Sequence, residues 1–484
     1  MYKRQVFRGR RKLLVVAAAA VLLLAGAAAA AYFTVLKQPG DISNPDVPFL
    51  GAEPTPEPEP GKKKKAKPSN FRWPRYGFTK DHRRSFEPDK PLRGPWRAKW
   101  KRKATALTEF PPAIGQGRIL QLSDDARLVS RDLETGKRRW KRKLGSLSAS
   151  TPALDDGRVY VTLLETSKGS GTGRIVCLRF RDGEILWSKK LPSRSESSPL
   201  VHNGRVFFGS ENGALYALDA RSGKQDWTYR AAGAIKGSPT LSDGVLFLGD
   251  YGGVVQAVRA RDGAKIWSSS AAKGLVRSGN FYATAAAAFG RVYIGATDGR
   301  AYSLSAKDGR VAWAVQTGRY VYSSAAVKDV AGLGPTVYFG SYDGVFYAVD
   351  ARSGKRRWTH RSGGKISGSP TIVGDTVYYA DLGRATTIGL NTRTGDVAFR
   401  YPIGAYDPIV SDGENLYLTG NRSLTALEPR RAFEKRRKAE QAKVREKKAA
   451  ARELVSPAWP ERCRQLAPCG PLTAVRERRA RKRG

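Results

Sequence analysis

Cysteine, methionine and histidine are scarce in this chain of 484 residues, which contains three cysteines, one methionine and three histidines. Three cysteines are too few for a disulfide framework or a cysteine-rich metal cluster. The histidines His82, His202 and His360 lie far apart and lack the spacing of zinc ligands. A Gly-x-Ser-x-Gly elbow and a phosphate-binding glycine loop are also missing from the sequence. The sequence therefore predicts no catalytic residue and no metal ligand.

Acidic residues are also few, with 43 Asp and Glu against 86 Lys and Arg and a formal net charge of +43. The basic excess is densest in residues 1–109 and 430–484. Such a surface attracts anionic polymers or lipid headgroups in a salt-dependent manner. The alternative is a solvated basic surface that only keeps the protein soluble.

Charge is absent from residues 13–36, a run longer than the roughly 20 residues needed to cross a bilayer. Six Lys or Arg residues precede this run, so the positive-inside rule places residues 1–12 in the cytoplasm and the rest of the chain outside. We expect one transmembrane helix over 13–36 that anchors the protein in the cell membrane. The alternative is secretion after cleavage of a signal peptide.

Proline and lysine dominate residues 37–69, which we expect to form a disordered linker. Basic and aromatic residues interleave in the next segment, 70–93. Aromatic side chains arranged in this way can stack on the bases of single-stranded nucleic acid. In an exported chain we instead expect the segment to dock on the folded domain that follows, and nucleic acid is not an expected partner.

A tryptophan that follows a glycine turn recurs every 40 to 47 residues in the middle of the chain. The positions are Trp140, Trp187, Trp227, Trp267, Trp313 and Trp358, and Phe399 takes the next one. Three turns separate four strand-like segments in each unit, which is the pattern of a propeller blade. We expect each ring to pack against the adjacent blade, with its N–H bonded to backbone.

The eighth unit ends at Pro429 without its tryptophan strand. Residues 94–103 can supply that strand, with Trp96 or Trp100 in the tryptophan position, because closing the ring removes an exposed strand edge. The sequence thus predicts an all-β, eight-bladed propeller of four-stranded antiparallel blades over residues 94–429. Seven blades is the alternative.

The unit resembles the repeat of the pyrroloquinoline-quinone-like propellers, most clearly in GSENGALYALDARSGKQDW (209–227) and GSYDGVFYAVDARSGKRRW (340–358). This family includes quinoprotein alcohol dehydrogenases and also non-enzymatic scaffolds such as the outer-membrane protein assembly factor. The resemblance implies the fold but does not choose between these functions.

The dehydrogenases of this family hold the quinone between a tryptophan and a disulfide of adjacent cysteines, beside a Ca²⁺ ion bound by Glu, Asn and Asp. None of these residues can be carried over, since adjacent cysteines are absent and Cys177 falls in a buried-strand pattern. We therefore expect a membrane-anchored, extracytoplasmic module that binds or scaffolds cell-envelope proteins, without catalysis, quinone or Ca²⁺. The alternative is a quinone-dependent dehydrogenase with an atypical site.

The loop from each tryptophan strand to the next blade borders the mouth of the predicted channel. Cations and tyrosines recur in these loops and form a candidate funnel for an anionic ligand or an acidic partner segment. The candidate residues are Arg194, Lys236, Arg277, Arg319, Tyr320, Lys365 and Tyr406. The alternative is coincidence in an arginine-rich chain.

Residues 430–484 form a basic tail. A charged, solvated helix is predicted over 433–455, which is rich in helix formers and poor in apolar positions. Cys463 and Cys469 could close a small disulfide loop outside the cytoplasm. Binding of anionic envelope polymer or nucleic acid through such tails is a third functional candidate.

Overall fold

The computed structural model describes residues 21–24, 26, 40–51, 72–271, 279–404 and 406–454. Within these residues, eight four-stranded antiparallel units follow one another along the chain, and inner strands of neighbouring units contact each other. The predicted eight-bladed propeller is therefore confirmed.

Each blade begins with an inner strand of three to five residues and ends with an outer strand that carries the repeated aromatic residue. Three strands precede the first blade: β1 (Ile42–Ser43), β2 (Ser85–Phe86) and β3 (Trp96–Lys103). The first four blades comprise β4 (Ala113–Gly115), β5 (Arg118–Ser123), β6 (Arg127–Asp132), β7 (Arg138–Lys143), β8 (Ala153–Asp155), β9 (Arg158–Leu163), β10 (Arg174–Arg179), β11 (Ile185–Lys190), β12 (Leu200–His202), β13 (Arg205–Gly209), β14 (Ala214–Asp219), β15 (Gln225–Arg230), β16 (Thr240–Ser242), β17 (Val245–Gly249), β18 (Val255–Arg259) and β19 (Lys265–Ser269). The last four blades comprise β20 (Ala286–Ala288), β21 (Arg291–Gly295), β22 (Arg300–Ser305), β23 (Val311–Gln316), β24 (Ala326–Val330), β25 (Gly334–Gly340), β26 (Val345–Asp350), β27 (Arg356–Arg361), β28 (Thr371–Val373), β29 (Thr376–Asp381), β30 (Thr386–Asn391), β31 (Val397–Tyr401), β32 (Ile409–Ser411), β33 (Leu416–Gly420) and β34 (Ser423–Pro429), completed by β3.

The repeated tryptophan packs against a glycine of the next blade. A Cβ atom on Gly223 would lie 2.6 Å from the ring of Trp187, whose indole N–H donates to the carbonyl of Ala220 at 3.1 Å. Gly223 also has a φ of +73°, so both its conformation and the available space require glycine. The same ring-on-glycine contact recurs around the propeller and joins successive blades.

The eighth blade is closed by the N-terminal strand β3, as predicted. Strand β3 pairs antiparallel with β34, and Trp100 lies opposite Ala426 at the register position that Trp227 takes opposite Ala217. Trp100 is buried, and its indole N–H donates to the carbonyl of Leu133 in the first blade at 3.1 Å. Of the two tryptophans considered from the sequence, Trp100 therefore takes the blade position.

Hydroxyl side chains at the start of the inner strands link neighbouring blades around the channel. The backbone N–H of Ser238 donates to Oγ1 of Thr284 at 2.9 Å, and that of Thr284 donates to Oγ of Ser324 at 3.0 Å. The chain of contacts continues through Ser369 to the carboxylate of Asp407. These bonds satisfy backbone groups that the short inner strands leave unpaired.

Residues 72–86 lie across one end of this channel. The backbone of Trp73 pairs with that of Ile114 in the first blade, and strand β2 runs parallel to β28 in the seventh. Between these contacts, carbonyl groups of the segment accept hydrogen bonds of 2.7–2.9 Å from inner strands, namely from the N–H groups of Leu154, Leu241, Ala287, Val327 and Ile372. The segment thus bonds to the inner strands of six blades.

Residues 40–51 differ from the disordered linker predicted over 37–69. Strand β1 adds to the outer edge of the fifth blade by pairing with β23, and Val47 is buried. The guanidinium of the buried Arg291 donates to the carbonyls of Val47 and Pro48 at 2.5 and 2.7 Å. Residues 40–51 are ordered here because the outer strand β23, VAWAVQ, is apolar and would otherwise expose a free edge. Pairing with β1 covers that edge. Residues 37–39 and 52–69 lie outside the described residues.

Most of the apolar run 13–36 lies outside the described residues. Among the residues that are described, no helix is both long and apolar enough to cross a membrane.

The chain divides into two compact units, residues 1–429 and residues 430–484. In the second unit the structure describes helix α1 (Arg430–Leu454), which confirms the predicted charged helix. Cys463 and Cys469 lie outside the described residues, so their pairing stays a prediction.

Candidate functional site

A cavity of about 360 Å³ opens at the end of the channel opposite to residues 72–86. Loops that enter the inner strands and turns between second and third strands surround it, because strand direction alternates within each blade. We call it the funnel cavity. Seven of its lining residues are tyrosines: Tyr76, Tyr251, Tyr282, Tyr320, Tyr322, Tyr342 and Tyr406.

Four of these tyrosines form a contiguous aromatic wall. The ring centroids of Tyr322 and Tyr342 are 4.9 Å apart with planes at 65°, and those of Tyr282 and Tyr322 are 5.4 Å apart at 86°. Tyr320 extends the wall, with its centroid 5.8 Å from that of Tyr322, and is half exposed. Edge-to-face contacts of this kind hold the rings in place, and all four tyrosines line the cavity.

The cation deepest in the predicted funnel is fully compensated. Lys236 Nζ lies 2.9 Å from Glu196 and 3.0 Å from Glu211, both on the neighbouring third blade. Burial alone would lower the pKa of Lys236, but these carboxylates outweigh it and raise the pKa. Glu196 also accepts a hydrogen bond from the hydroxyl of Tyr282. Burial and this carboxylate raise the pKa of Tyr282 well above its ordinary value.

Three of the other predicted cations, Arg194, Arg319 and Lys365, do not line the cavity. Arg194 is held between Glu211 at 3.6 Å and Glu165 at 3.8 Å. Lys365 is exposed, with Nζ 5.6 Å from the ring centroid of Tyr342. Arg319 is exposed and contributes its carbonyl to two hydrogen bonds. Arg277 lies outside the described residues.

Carboxyl groups are in excess on the side of the funnel cavity formed by the first and eighth blades. Burial raises the pKa of Glu109, and the charges of Glu196 and Asp407 add to the rise. Burial likewise raises the pKa of Asp124 to about 7, with contributions from Glu109 and Asp125. In the described part of the chain neither Glu109 nor Asp124 forms an ion pair. A cation entering the cavity would be stabilised here.

The floor of the cavity comes from the segment that closes the far end of the channel. The hydroxyl of Tyr76 lies 2.9 Å from Oγ of Ser369, and the guanidinium of Arg84 stacks 4.0 Å from the centre of the Tyr76 ring. Arg84 and Asp407 are both buried, with 3.8 Å between Nη1 and Oδ1. Burial raises the pKa of Asp407 to about 6 even though Arg84 lowers it.

Histidine, cysteine and carboxylate groups do not converge in the described residues: no set of three could hold a metal ion. His82 is buried beside Thr240, with 3.0 Å between Nδ1 and Oγ1, and burial lowers its pKa well below the ordinary value. Cys177 is buried in β10, where burial raises the pKa of its thiol to about 12. These groups serve packing.

Sequence reasoning identified Lys236, Tyr320 and Tyr406 in the cavity but missed the other tyrosines that line it. Tyr251 and Tyr342 sit in the turn between second and third strands, in YGG and YDG, which the sequence assigned only to turn formation. Both classes of loop meet at one face of the ring. Aligning the blades and comparing both loops at once would have shown the tyrosines of the fourth to sixth blades.

The sequence matches the family described as outer membrane protein assembly factor BamB over residues 94–172, 171–401 and 327–455. A search of curated proteins gave no match. Among solved structures, BamB from Moraxella catarrhalis is 18% identical with a TM-score of 0.56, over 69% of this chain and 97% of that one.

Dehydrogenases share the same architecture. A europium-containing methanol dehydrogenase is 13% identical with a TM-score of 0.63, over 75% of this chain and 98% of that one. A quinohemoprotein alcohol dehydrogenase from Comamonas testosteroni is 12% identical with a TM-score of 0.61, over 74% and 81%. At such identities these solved structures are informative about the fold alone.

Proposed function

The chain belongs to the family described as outer membrane protein assembly factor BamB, and from this premise we propose that it is a protein-binding scaffold without catalytic activity. The observation that carries the proposal is the aromatic wall of the funnel cavity. Tyrosine offers a large, rigid contact area at low entropic cost and is enriched where proteins bind one another. The cavity receives an extended segment of a cell-envelope protein.

The charges of the cavity favour a cationic side chain on that segment, in contrast to the anionic ligand expected from the sequence. Lys236 is already compensated by two carboxylates, so it offers little to an anion. Glu109 has a raised pKa because its charge is buried near other carboxylates. An arginine or lysine inserted against the tyrosine faces would relieve that repulsion and gain cation–π attraction.

Residues 13–36 anchor the scaffold in the cell membrane under this proposal, with residues 1–12 in the cytoplasm and the propeller outside. The alternative is a secreted form without the apolar run. The basic residues 430–484 provide a further contact for anionic envelope polymer.

The donor set at the floor of the cavity supports a role without quinone chemistry. Tyr76 and Arg84 fill the channel below the cavity, Asp407 faces Arg84, and Glu196 is engaged by Lys236 and Tyr282. A Ca²⁺ ion needs several oxygen ligands that are not already engaged. These residues do not fit a quinone with its Ca²⁺ ion. Substrate-dependent dye reduction after adding pyrroloquinoline quinone, Ca²⁺ and an electron acceptor would contradict the scaffold proposal.

Photocrosslinking tests the docking site directly. A photoreactive residue at position 320, in the cavity mouth, is expected to give a discrete adduct with a partner in intact cells. The double variant Tyr322→Ala/Tyr342→Ala should reduce adduct yield about tenfold, because two ring faces are worth roughly 1–3 kcal/mol to a bound cation. Glu109→Gln should reduce it as well, through loss of the carboxylate.

Two controls distinguish binding in the funnel cavity from non-specific binding. The same photoreactive residue at position 221, an exposed turn at the opposite end of the blades, should give no such adduct. Asp262→Asn removes an exposed carboxylate from an equivalent turn and should leave the yield at position 320 unchanged. Equal adducts from 320 and 221, or a yield insensitive to Tyr322→Ala/Tyr342→Ala, would refute docking in the funnel cavity.

A further inference from the structure

Two neighbouring outer strands of the propeller carry an unusual density of positive charge. Strand β3 reads WRAKWKRK and strand β7 reads RRWKRK, so each has five Lys or Arg and neither has an acidic residue. The other outer strands do not share this pattern: β27 has three basic residues, β11 two, β15, β19 and β31 one each, and β23 none. The generally basic composition of the chain therefore does not explain the concentration.

The two strands lie side by side, because β3 completes the eighth blade and β7 ends the first. Arg102 on β3 shows this contact directly, since its Nε and Nη2 donate to the carbonyls of Gly136 and Thr135 at 3.0 and 2.7 Å. We call the combined surface of β3 and β7 the basic flank. At about 3.4 Å per residue, the eight residues of β3 make it roughly 27 Å long.

Most of the charge on the basic flank is not compensated locally. Three of the ten cations form ion pairs: Arg139 with Asp132 at 2.6 Å, Arg97 with Glu428 at 3.8 Å, and Lys99 with Glu134. In contrast, Lys101, Arg138 and Lys141 are exposed, and no carboxylate of the described residues lies within 4.0 Å of their charged groups. Three exposed cations on two adjacent strands thus face solvent without an ion-pair partner among the described residues.

Two arginines of the flank are held rigidly without being neutralised. Arg142 donates from Nε and Nη2 to the carbonyls of Gly183 and Asp182, repeating one blade further on the contacts that Arg102 makes. Each guanidinium also donates to the carbonyl of the preceding lysine. Hydrogen bonds to carbonyl groups fix each guanidinium but do not neutralise its charge. Each guanidinium has five N–H donors and uses three of them in these bonds, so two remain for an external acceptor. The flank is therefore preorganised for an external anion.

We propose that the basic flank binds a linear anionic polymer. A row of cations along two strands matches a chain of regularly spaced charges, and binding a polyanion releases its condensed counterions. Under the proposed membrane anchoring, a bilayer is a poorer match. The N-terminal chain meets the propeller at β1 on the fifth blade, which is four blades from the first. The flank then lies on the side of the ring away from the point of attachment.

The test measures binding of labelled polyphosphate to the full-length protein over a range of salt concentrations. The flank variant Lys101→Gln/Arg138→Gln/Lys141→Gln is expected to bind at least about tenfold more weakly at 0.15 M salt. Its log K against log[salt] slope should fall by about 2, as three lost charge contacts require. These side chains are exposed, so the thermal midpoint should stay that of the parent protein.

A matched variant controls for net charge and for the basic tails. Lys190→Gln/Lys265→Gln/Arg361→Gln removes the same charge from exposed positions on three other outer strands and should change the affinity less than about twofold. Equal losses in both variants would overturn the proposal. So would a flank variant that loses binding to vesicles of phosphatidylglycerol and phosphatidylcholine while keeping its affinity for polyphosphate.

Discussion

Replacing Arg84 with methionine is expected to lower the free energy of unfolding by about 3 kcal/mol at pH 7.5, because it leaves the buried Asp407 without its cation. Both side chains are almost wholly inaccessible, at 2% and 8% exposure. Methionine keeps the stem that packs on Tyr76, so the loss reports charge rather than volume. Urea unfolding followed by tryptophan fluorescence measures it. Arg83→Met is the matched control, since Arg83 pairs with Asp81 at a partly exposed position and should cost less than about 1 kcal/mol.

The loss in Arg84→Met should depend on pH in a direction that the pKa of Asp407 fixes. In the folded protein this pKa is about 6, above the ordinary 3.8, so the folded state binds a proton that the unfolded chain releases between these values. Ionisation of Asp407 therefore lowers stability as pH rises, and protonation restores it. Because Arg84 lowers this pKa, its removal raises the pKa of Asp407 further. Ionisation of Asp407 then continues to lower stability up to a higher pH. We expect the deficit of Arg84→Met to shrink steadily as pH falls from 8 toward 4.

A double variant separates the ion pair from other roles of Arg84. Asp407→Asn removes the charge yet keeps an oxygen that can accept the backbone N–H of Ser369, now at 3.1 Å. Adding Asp407→Asn to Arg84→Met should recover at least half of the lost stability at pH 7.5. A pH-independent deficit, or a double variant no more stable than Arg84→Met alone, would show that Asp407 is not the reason for the loss.

Trp100→Ala is expected to lower the free energy of unfolding by about 3–5 kcal/mol, the range for truncating a buried tryptophan. The ring fills the contact with Gly136 of the first blade, and the indole N–H is bonded to Leu133. Its loss therefore weakens the junction that closes the ring. Denaturant unfolding with circular dichroism measures the change without relying on the tryptophan signal.

Trp96→Ala is the control on the same strand. Trp96 is only partly buried, and its ring centroid lies 6.1 Å from that of Phe399. Its replacement should cost about 1 kcal/mol, in line with loss of one aromatic contact. Equal destabilisation by the two substitutions would mean that Trp100 has no special part in closure.

The blade number and the closing strand could be predicted because their signals repeat. Six tryptophans at nearly regular spacing mark the outer strands, and the eighth unit visibly lacks one. The pairing of β1 with β23 was missed because a segment rich in proline and glycine gives no local strand signal. One clue was present: β23 is the outer strand without any charged residue, and an apolar free edge needs a cover.

The electrostatics of the funnel cavity could not be predicted from loop composition. Lys236 appeared as a free cation because its partners, Glu196 and Glu211, come from the preceding blade. Contacts between blades depend on how each blade is rotated against the next, and this information is not carried by any one repeat. The cavity tyrosines come from two classes of loop that lie apart in each repeat, so neither class alone predicts the aromatic wall.

The pairing of β3 with β34 has a consequence for the order in which the protein is made. The chain is synthesised from its N-terminus, so residues 72–86 and β3 exist before any of the blades to which they bond. Stacked repeats in open arrays can fold one after another. Here the ring can close only after residues 423–429 have been synthesised, because β34 is the pairing partner of β3. Contacts between such distant parts of a chain slow folding. A nascent chain therefore holds an unpaired first strand until its last blade emerges, and the propeller becomes complete in a single final step.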